Sequence, residues 1–378
     1  MNDPIQFILQ RRDEILNIYQ QLHNLAEPSW KEENTSRYLQ NILTEAGFSV
    51  QTFIGHHGFI ADLRGKKQEI IALRADMDAL MQEINGVVKA NHSCGHDAHS
   101  TMVLSAALTI AKSGLSFKHT VRFIFQPAEE VAEGALQMVK DGALKDVKFL
   151  AGIHLRPALE IPFHTAAPVI QHGSTVSIKG VIKGKTAHAA RPEEGNNPIE
   201  AASLLIQSIS QIRLQAQGRY SIKITELHGG EASNSIPENA RFTFDVRSEN
   251  NATMDKLIEK AQHVIHSVAQ LTETDITFSL EEYSPAAVKN DRAIEVASEA
   301  IADVLGVENV IPVCKSPGAE DFHFYTMKKP DLAATMIGLG CDLQPGLHHP
   351  AMTFDKEALI YGTQILTQLL IYADQRQW

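Results

Sequence analysis

Cysteine is scarce in this sequence. Cys94, Cys314 and Cys341 are the only three among 378 residues. Three cysteines cannot build a disulfide framework and leave an odd thiol, so a reducing, cytoplasmic setting is expected. No run of 18 or more apolar residues occurs, so no membrane-spanning helix is expected. Positive charge is also short, with 34 Lys and Arg against 45 Asp and Glu, a formal net charge of −11. Nucleic acids and anionic membrane surfaces call for basic patches, so neither is an expected partner. The first twenty residues lack the basic, apolar and small-residue order of a secretory leader. Ile5, Ile8, Leu9, Leu16 and Leu22 instead fall near helical spacing and predict an amphipathic helix over about 5–24. The motifs H-E-x-x-H, C-x-x-C and G-x-S-x-G are all missing. GVIKGKT (180–186) approaches a phosphate loop, but its glycines stand one residue too close.

What is there reads as a globular α/β protein. Hydrophobic residues make up 44% and charged residues 21%, the ordinary range. Helical patterns at 34–46 and 98–113 alternate with apolar strand patterns at 69–75, 120–126 and 147–155. Strands apolar on both faces belong in a buried, mostly parallel sheet. From about 173 the texture changes. Half-exposed strands at 174–184, 220–229, 240–248 and 275–283 alternate with helices at 197–216 and 252–270. The order β-α-β-β-α-β is that of a ferredoxin-like module. The α/β pattern resumes after about 288, with helices at 291–305 and 355–374 around a strand at 332–340. The predicted organisation is a catalytic domain of residues 1–172 and 289–378, with a domain of residues 173–288 inserted into it.

Histidine, at 17 residues, is the one surplus. NHSCGHDAH (91–99) holds three of them with a cysteine and an aspartate. Cys94 and His96 flank Gly95, which permits a sharp turn. A thiolate and an imidazole suit zinc and other transition metals, with Asp97 or His99 orienting a ligand. The plainer alternative is a polar loop in which Asp97 or Ser93 caps the following helix. In FQPAEE (125–130) the adjacent Glu129 and Glu130 repel each other unless a cation is close. They read as a base and a ligand, or as an exposed acidic turn. His154, in AGIHLRP, closes another apolar strand as a ligand or as a core histidine. RADMDAL (74–80) sets Asp76 and Asp78 on one side of an extended chain, and PGLHHP (345–350) offers His348 and His349. A parallel sheet brings its strand ends to one edge, where α/β proteins place their sites. Cys94, His96, Glu130, His154 and one of the histidine pair exceed the needs of one tetrahedral ion. They suit two ions about 3.5–4 Å apart, with Glu129 as a non-ligand acid. Cys314 and Cys341 have no ligand-like spacing and read as small hydrophobes.

In order, RADMDAL, CGHDAH, FQPAEE, GIHLRP, TAHAARP, SNSIP, GAEDF and LHHP resemble the motifs of the aminoacylase/carboxypeptidase family of metallopeptidases. The likeness runs from about residue 20 to 370. It points to the amidohydrolase branch, which includes hippurate hydrolase, the auxin-conjugate hydrolases and bacterial amidohydrolases of the AmhX type. The resemblance implies a catalytic α/β domain with an inserted ferredoxin-like lid that dimerises. It implies Cys94, His96, Glu130, His154 and His348 as ligands of two divalent ions, Glu129 as general base, and Asp78 behind the ligands. His348 is preferred to His349 because the family's L-H-x-P pattern uses its first histidine. Relatives with His-x-Asp at the RADMDAL strand end draw a ligand from its first position. Asp76 stands there instead, and the ligand set shifts to the Cys/His loop.

From the inserted domain, the resemblance implies that His188 reaches the reacting carbonyl from a partner subunit. Asn234 and Arg247 are implied to hold a substrate carboxylate, which a guanidinium and an amide suit. Without the resemblance these three read as a capping histidine, a turn asparagine and a strand-surface arginine. Two stretches depart from the branch. GVVKANHS (86–93) differs from its glycine-methionine-histidine-alanine run and brings His92 near the metals, and DLQPGLHHP is distinctive. Both bear on the acyl group rather than on the chemistry.

The implied reaction is hydrolysis of an N-acyl amino acid or similar small amide by a hydroxide held at the two ions. Glu129 passes the proton to the leaving amine, and the metals and His188 stabilise the oxyanion. Zinc, manganese, cobalt and nickel all suit the donors. The implied enzyme is a cytoplasmic homodimer acting on a small molecule. The competing readings are a dipeptidase or carboxypeptidase on the same scaffold, and a non-catalytic metal-binding protein, which has no use for Glu129.

Overall fold

The amphipathic N-terminal pattern forms two helices, α1 (Pro4–Gln10) and α2 (Arg12–Asn24), broken at Arg11. This is seen in a computed structural model that describes residues 3–215 and 218–378. The Asp3 side chain accepts from Ile5 N, and Pro4 takes the first helical position, a favoured start. α2 buries Ile15, Ile18, Tyr19 and Leu22, the i, i+3, i+4, i+7 stripe of a core-facing helix. Leu9, expected on the same stripe, is 45% exposed, and Ile8 beside it is buried in its place.

The chain continues through α3 (Glu33–Glu45), β1 (Ser49–Thr52), β2 (Phe59–Leu63) and β3 (Lys67–Asp76). A hairpin of β4 (Leu80–Ile84) and β5 (Val87–Asn91) leads to α4 (His96–Lys112). Then follow β6 (His119–Gln126), α5 (Gly134–Lys140), β7 (Val147–Pro157), β8 (Ala166–Ala167) and β9 (Ile170–His172). The second unit contributes β10 (Ser174–Lys183), β11 (Ala187–His188), α6 (Pro198–Ser210), β12 (Tyr220–Gly229), β13 (Ser235–Ile236), β14 (Asn239–Ser248), α7 (Asn251–Thr272) and β15 (Asp275–Ser284). The chain ends with α8 (Asp291–Leu305), β16 (Cys314–Ser316), α9 (His323–Lys328), β17 (Ala333–Leu343) and α10 (Glu357–Gln375). Among the described residues no helix is long and apolar enough to cross a membrane.

The chain divides into two compact units, one of Met1–Gln171, Val288–Ser316 and Asp321–Trp378, the other of His172–Ala287 and Pro317–Glu320. The first is built on a seven-stranded sheet of order β1-β2-β6-β3-β7-β17-β8. β6, β3, β7 and β17 run parallel, while β1–β2, β2–β6 and β17–β8 pair antiparallel. The sheet is therefore mixed, where the sequence predicted a mostly parallel one. The difference lies at its edges. The parallel strands are buried on both faces and read as continuous apolar runs. β1 is mostly exposed and β8 is two residues long, so neither leaves such a run. α4 is buried along its length from His96 to Ile110, and Met102 and Leu104 share one core with Ile71, Phe123, Leu366 and Leu369.

In the second unit, β10, β12, β14 and β15 form an antiparallel sheet of order β12-β14-β10-β15, with the chain running β-α-β-β-α-β. β10 alternates as its sequence does, and Val176, Ile178 and Ile182 pack with Phe242, Phe244, Leu205 and Leu257. Asn250 caps α7 by accepting from Thr253 N at 2.9 Å. The helix predicted over 197–216 ends at Ser210, and residue 216 lies outside the described residues. GVIKGKT runs along β10 and into the following loop, with no strand-to-helix turn of a phosphate loop.

Candidate metal centre

The parallel strands deliver the predicted residues to one edge of the sheet. Asp76 ends β3, Pro127–Glu130 follow β6, and His154 lies near the end of β7. Cys94 sits between the β4–β5 hairpin and α4. Gly95, at φ 89°, makes the turn between them, and a Cβ there would meet Leu155 Cδ1 at 3.1 Å. α4 starts on Gly95 with no side-chain cap. The cap from Asp97 or Ser93 that the polar-loop alternative offered does not form; the Asp97 carboxylate lies 2.7 Å from His23 Nδ1 and accepts from Ala98 N at 2.8 Å.

Four donor residues, His96, His154, Glu130 and His348, gather around the sulfur. Cys94 Sγ lies 3.7 Å from His154 Nε2. His96 Nε2 lies 3.8 Å from both Glu129 Oε2 and Glu130 Oε1, and His348 Nε2 lies 3.5 Å from Glu130 Oε2. The donor atoms of Cys94, His96 and His154 fall within 4.8 Å of one another. So do those of Cys94, Glu130 and His348, and those of His96, Glu129 and Glu130. Cys94 thus belongs to two overlapping donor sets. His348 N donates to Ser93 O at 2.8 Å, which holds its loop against the cysteine. The ring of His349 instead accepts from Ala351 N, inside its own turn.

The ring orientations suit metal ligation. His96 Nδ1 donates to Asp78 O at 2.8 Å and His154 Nδ1 donates to Leu155 O at 2.6 Å. Each imidazole therefore turns the lone pair of Nε2 toward the cluster. His96 Nε2 and Glu130 Oε1 are buried with no hydrogen-bond partner among the described residues, a costly state for polar atoms unless a cation engages them. Burial, with His99 and Arg156 adding, holds His154 well below the ordinary histidine range, as a neutral ligand requires. Burial pushes the Cys94 thiol well up, with Glu130 adding, and pushes the Glu130 carboxyl up to about 7. A divalent cation would reverse both shifts. Sulfur, nitrogen and oxygen donors in this number fit a pair of transition-metal ions.

A buried network stands behind the donors. Asp76 Oδ1 accepts from His99 Nδ1 at 2.8 Å, and His99 Nε2 accepts from Leu155 N at 3.0 Å. Asp76 Oδ2 accepts from Arg74 Nη1 at 2.5 Å, and Arg74 Nη2 donates to Asp321 Oδ1 at 2.8 Å. Asp321 also accepts from Gln126 Nε2. Burial opposes ionisation of Asp76, but His96, Arg74 and His99 hold its carboxyl well below the usual range. Asp78 accepts from Glu129 N and Glu130 N. The sequence pointed to His99 and Asp78 as supports but not to Arg74, Gln126 or Asp321. Asp321 stands in the GAEDF motif, the one signal that marked it. His92 is buried, neither of its ring nitrogens has a hydrogen-bond partner among the described residues, and burial lowers its pKa.

The residues predicted in the inserted domain lie in the second unit. His188, on β11, is exposed, and its Nδ1 accepts from Ala190 N at 3.1 Å. It pairs with Ser235 on β13, beside Asn234, whose carbonyl accepts from Ala189 N. The ribbon of β11 and β13 leaves the sheet at the Asn239 end, where Gly184 N donates to Glu238 O. Arg247 lies eight residues along β14 from Asn239, about 26 Å of extended strand, and its guanidinium binds Asp245 at 2.9 Å. The unit therefore brings His188 and Asn234 together and leaves Arg247 at the other end.

A family model described as peptidase family M20/M25/M40 matches residues 72–372. An N-acetylcysteine deacetylase of Bacillus subtilis is 31% identical over 369 residues, covering 94% of this chain and 96% of the relative. A hippurate hydrolase of Campylobacter jejuni is 33% identical over 341 residues, covering 85% and 88%. A solved Bacillus subtilis structure, described as a dinuclear metal-binding peptidase of the M20 family, superposes with a TM-score of 0.82 at 28% identity, covering 97% of this chain and 99% of that one.

Proposed function

The chain belongs to peptidase family M20/M25/M40, and from that premise we propose that it is a metal-dependent amidohydrolase cleaving the amide bond of N-acyl amino acids. The observation that carries this reading is the sharing of Cys94 between two donor sets, with the acid Glu129 beside them. Cys94, His96 and His154 would hold one divalent ion, and Cys94, Glu130 and His348 the other. Such ions, when bound, acidify water and polarise a carbonyl. Zinc, manganese, cobalt and nickel remain candidates on the donor set.

Glu129 is assigned as general base, taking a proton from the attacking water and giving it to the leaving nitrogen. Its carboxylate at 3.8 Å from His96 supports this. Asp78 keeps the base in place through the backbone amides of Glu129 and Glu130. His188 would donate to the developing oxyanion, and Asn234 and Arg247 would hold the substrate carboxylate.

Residues 1–172 and 289–378 would form the catalytic domain, and 173–288 a ferredoxin-like lid through which two copies pair. The β-α-β-β-α-β order supports the lid. The separation of Arg247 from the His188–Asn234 ribbon supports pairing, because a second copy could offer its ribbon where the first offers its arginine. Three free thiols favour a cytoplasmic location.

The test is hydrolysis of a panel of N-acyl amino acids and free dipeptides after reconstitution with each metal. Release of free amino acids from the N-acyl substrates is expected. Cleavage confined to dipeptides would move the reading to a dipeptidase or carboxypeptidase. No cleavage with any metal would sink the enzymatic reading.

A further inference from the structure

Two buried carboxylates hold three consecutive backbone N–H groups in the turn after β6. Ala128 N donates to Glu32 Oε1 at 2.9 Å, Glu129 N to Asp78 Oδ1 at 3.1 Å and Glu130 N to Asp78 Oδ2 at 3.0 Å. Successive N–H groups turned toward anions form a nest, and here the anions are side chains of the chain itself. Ala128 has φ 54°, in the left-handed region that residues with a Cβ seldom occupy. Such a turn persists only where its surroundings fix it.

Glu32 comes from the loop between α2 and α3 and is completely buried. The loop is fastened to the same region at several points. Ser29 Oγ donates to Asp78 Oδ2 at 2.7 Å, Trp30 Nε1 donates to Glu133 Oε2 at 2.9 Å, and Ala79 N donates to Glu27 O at 2.8 Å. Trp30 N donates to Glu32 Oε1 at 3.0 Å, so that oxygen gathers two amides. Oε2 of Glu32 is buried without a hydrogen-bond partner among the described residues. The polar contribution of Glu32 therefore runs through Oε1 and into the turn that carries Glu129.

We propose that Glu32 is a positioning residue for Glu129, fixing the angle at which the base faces the donor cluster by accepting from Ala128 N–H. The proposal rests on the reading of Glu129 as general base. Asp78 grips Glu129 and Glu130 but leaves the residue before them to Glu32. Burial, with the charge of Asp78 adding, pushes the Glu32 carboxyl up to about 7. Both hydrogen bonds to its side chain run to the one oxygen Oε1, so the carbonyl of a glutamine can accept the same two amides.

The experiment compares Glu32→Gln, Glu32→Ala and Glu32→Asp with Glu129→Gln in the full-length, metal-loaded protein. It reads kcat and KM on an N-acetyl amino acid, metal affinity by calorimetry, and hydrogen exchange of the segment around Ala128. Glu32→Ala, and Glu32→Asp with its shorter reach, should lower kcat roughly 10- to 100-fold, the scale of a misplaced catalytic group. KM and metal affinity should hold, exchange at Ala128 should quicken, and Glu32→Gln should recover most of kcat. Full kcat in Glu32→Ala beside an inactive Glu129→Gln overturns the role of Glu32 alone. Full kcat in Glu129→Gln overturns the reading beneath it. Glu32→Gln falling as far as Glu32→Ala, or metal affinity falling with kcat, also overturns the proposal. If Glu32→Ala does not fold, the contrast between Glu32→Gln and Glu32→Asp decides, and equal kcat in the two counts against it.

Discussion

His96 is completely buried, with its Nδ1 fixed to a carbonyl 2.8 Å away. His188 lies exposed on a two-residue strand, with the backbone amide of Ala190 donating to its ring. The same contrast holds between Glu130, nearly buried among donors, and Arg247, exposed and paired with Asp245 on its own strand. A buried polar group needs partners inside the protein, so the first unit arrives with its geometry set. An exposed group takes its partners from whatever binds. The first unit holds its donors buried in fixed positions, and the second presents exposed side chains that, under the proposed function, a substrate or another copy would complete.

Predictions test that contrast at decreasing size. Removing divalent ions with a chelator should abolish hydrolysis, and adding them back should restore it, as followed by product release against metal content. The same treatment should lower the melting temperature, because ions bound only by the folded state stabilise it. Glu129→Gln should cut kcat by roughly 10²- to 10⁴-fold, the usual weight of general-base catalysis, while metal content stays at the wild-type level. His188→Ala should lower kcat by roughly 10²- to 10³-fold, the scale of a lost oxyanion donor, without changing the melting temperature. A stability loss of the size expected for a buried residue would contradict the exposed placement.

Arg247→Ala should raise KM roughly 10-fold or more for substrates with a free carboxylate, the scale of a lost charge-assisted hydrogen bond. It should leave an amide without that carboxylate unaffected. The smallest effect concerns His323, which burial, aided by Arg74, holds down at about 3. Its folded pKa lies below the unfolded value, so the unfolded chain binds the extra proton between about 6.5 and 3. The contribution is complete above pH 6.5 and is lost as pH falls, by up to about 1.4 kcal/mol per pH unit. Urea titrations at pH 7 and pH 5.5 should show a smaller difference for His323→Phe than for the wild type.

Legibility followed the same division. The central parallel strands were readable because burial on both faces leaves continuous apolar runs, and the N-terminal helices because burial imposes a helical period, which Ile8 and Leu22 keep and the exposed Leu9 does not. The antiparallel edges were not, because β1 is exposed and β8 too short to carry a pattern. Cys94, His96, Glu130, His154 and His348 stood out as metal-competent side chains in short motifs. Their supports did not. Arg74 meets Asp321 across 247 positions of sequence, and Glu32 meets Ala128 across 96. No local spacing announces such a pairing. Glu32 even stood in plain view, in an acidic stretch before a helix, where capping is the ordinary expectation. The roles of His188, Asn234 and Arg247 came from the motifs that resembled the family, and their own surroundings in the chain would have suggested only surface residues.

The sulfur of Cys94 sits in both donor sets, so the two ions would share a single point of failure. Alkylation of that thiol, or its oxidation, would strike both sets at one stroke. Stoichiometry would then drop from a full pair toward none, with little of the half-loaded form that two independent sites would pass through. The seclusion of Cys94, 6% exposed, would thereby shield both proposed ion sites rather than one ligand.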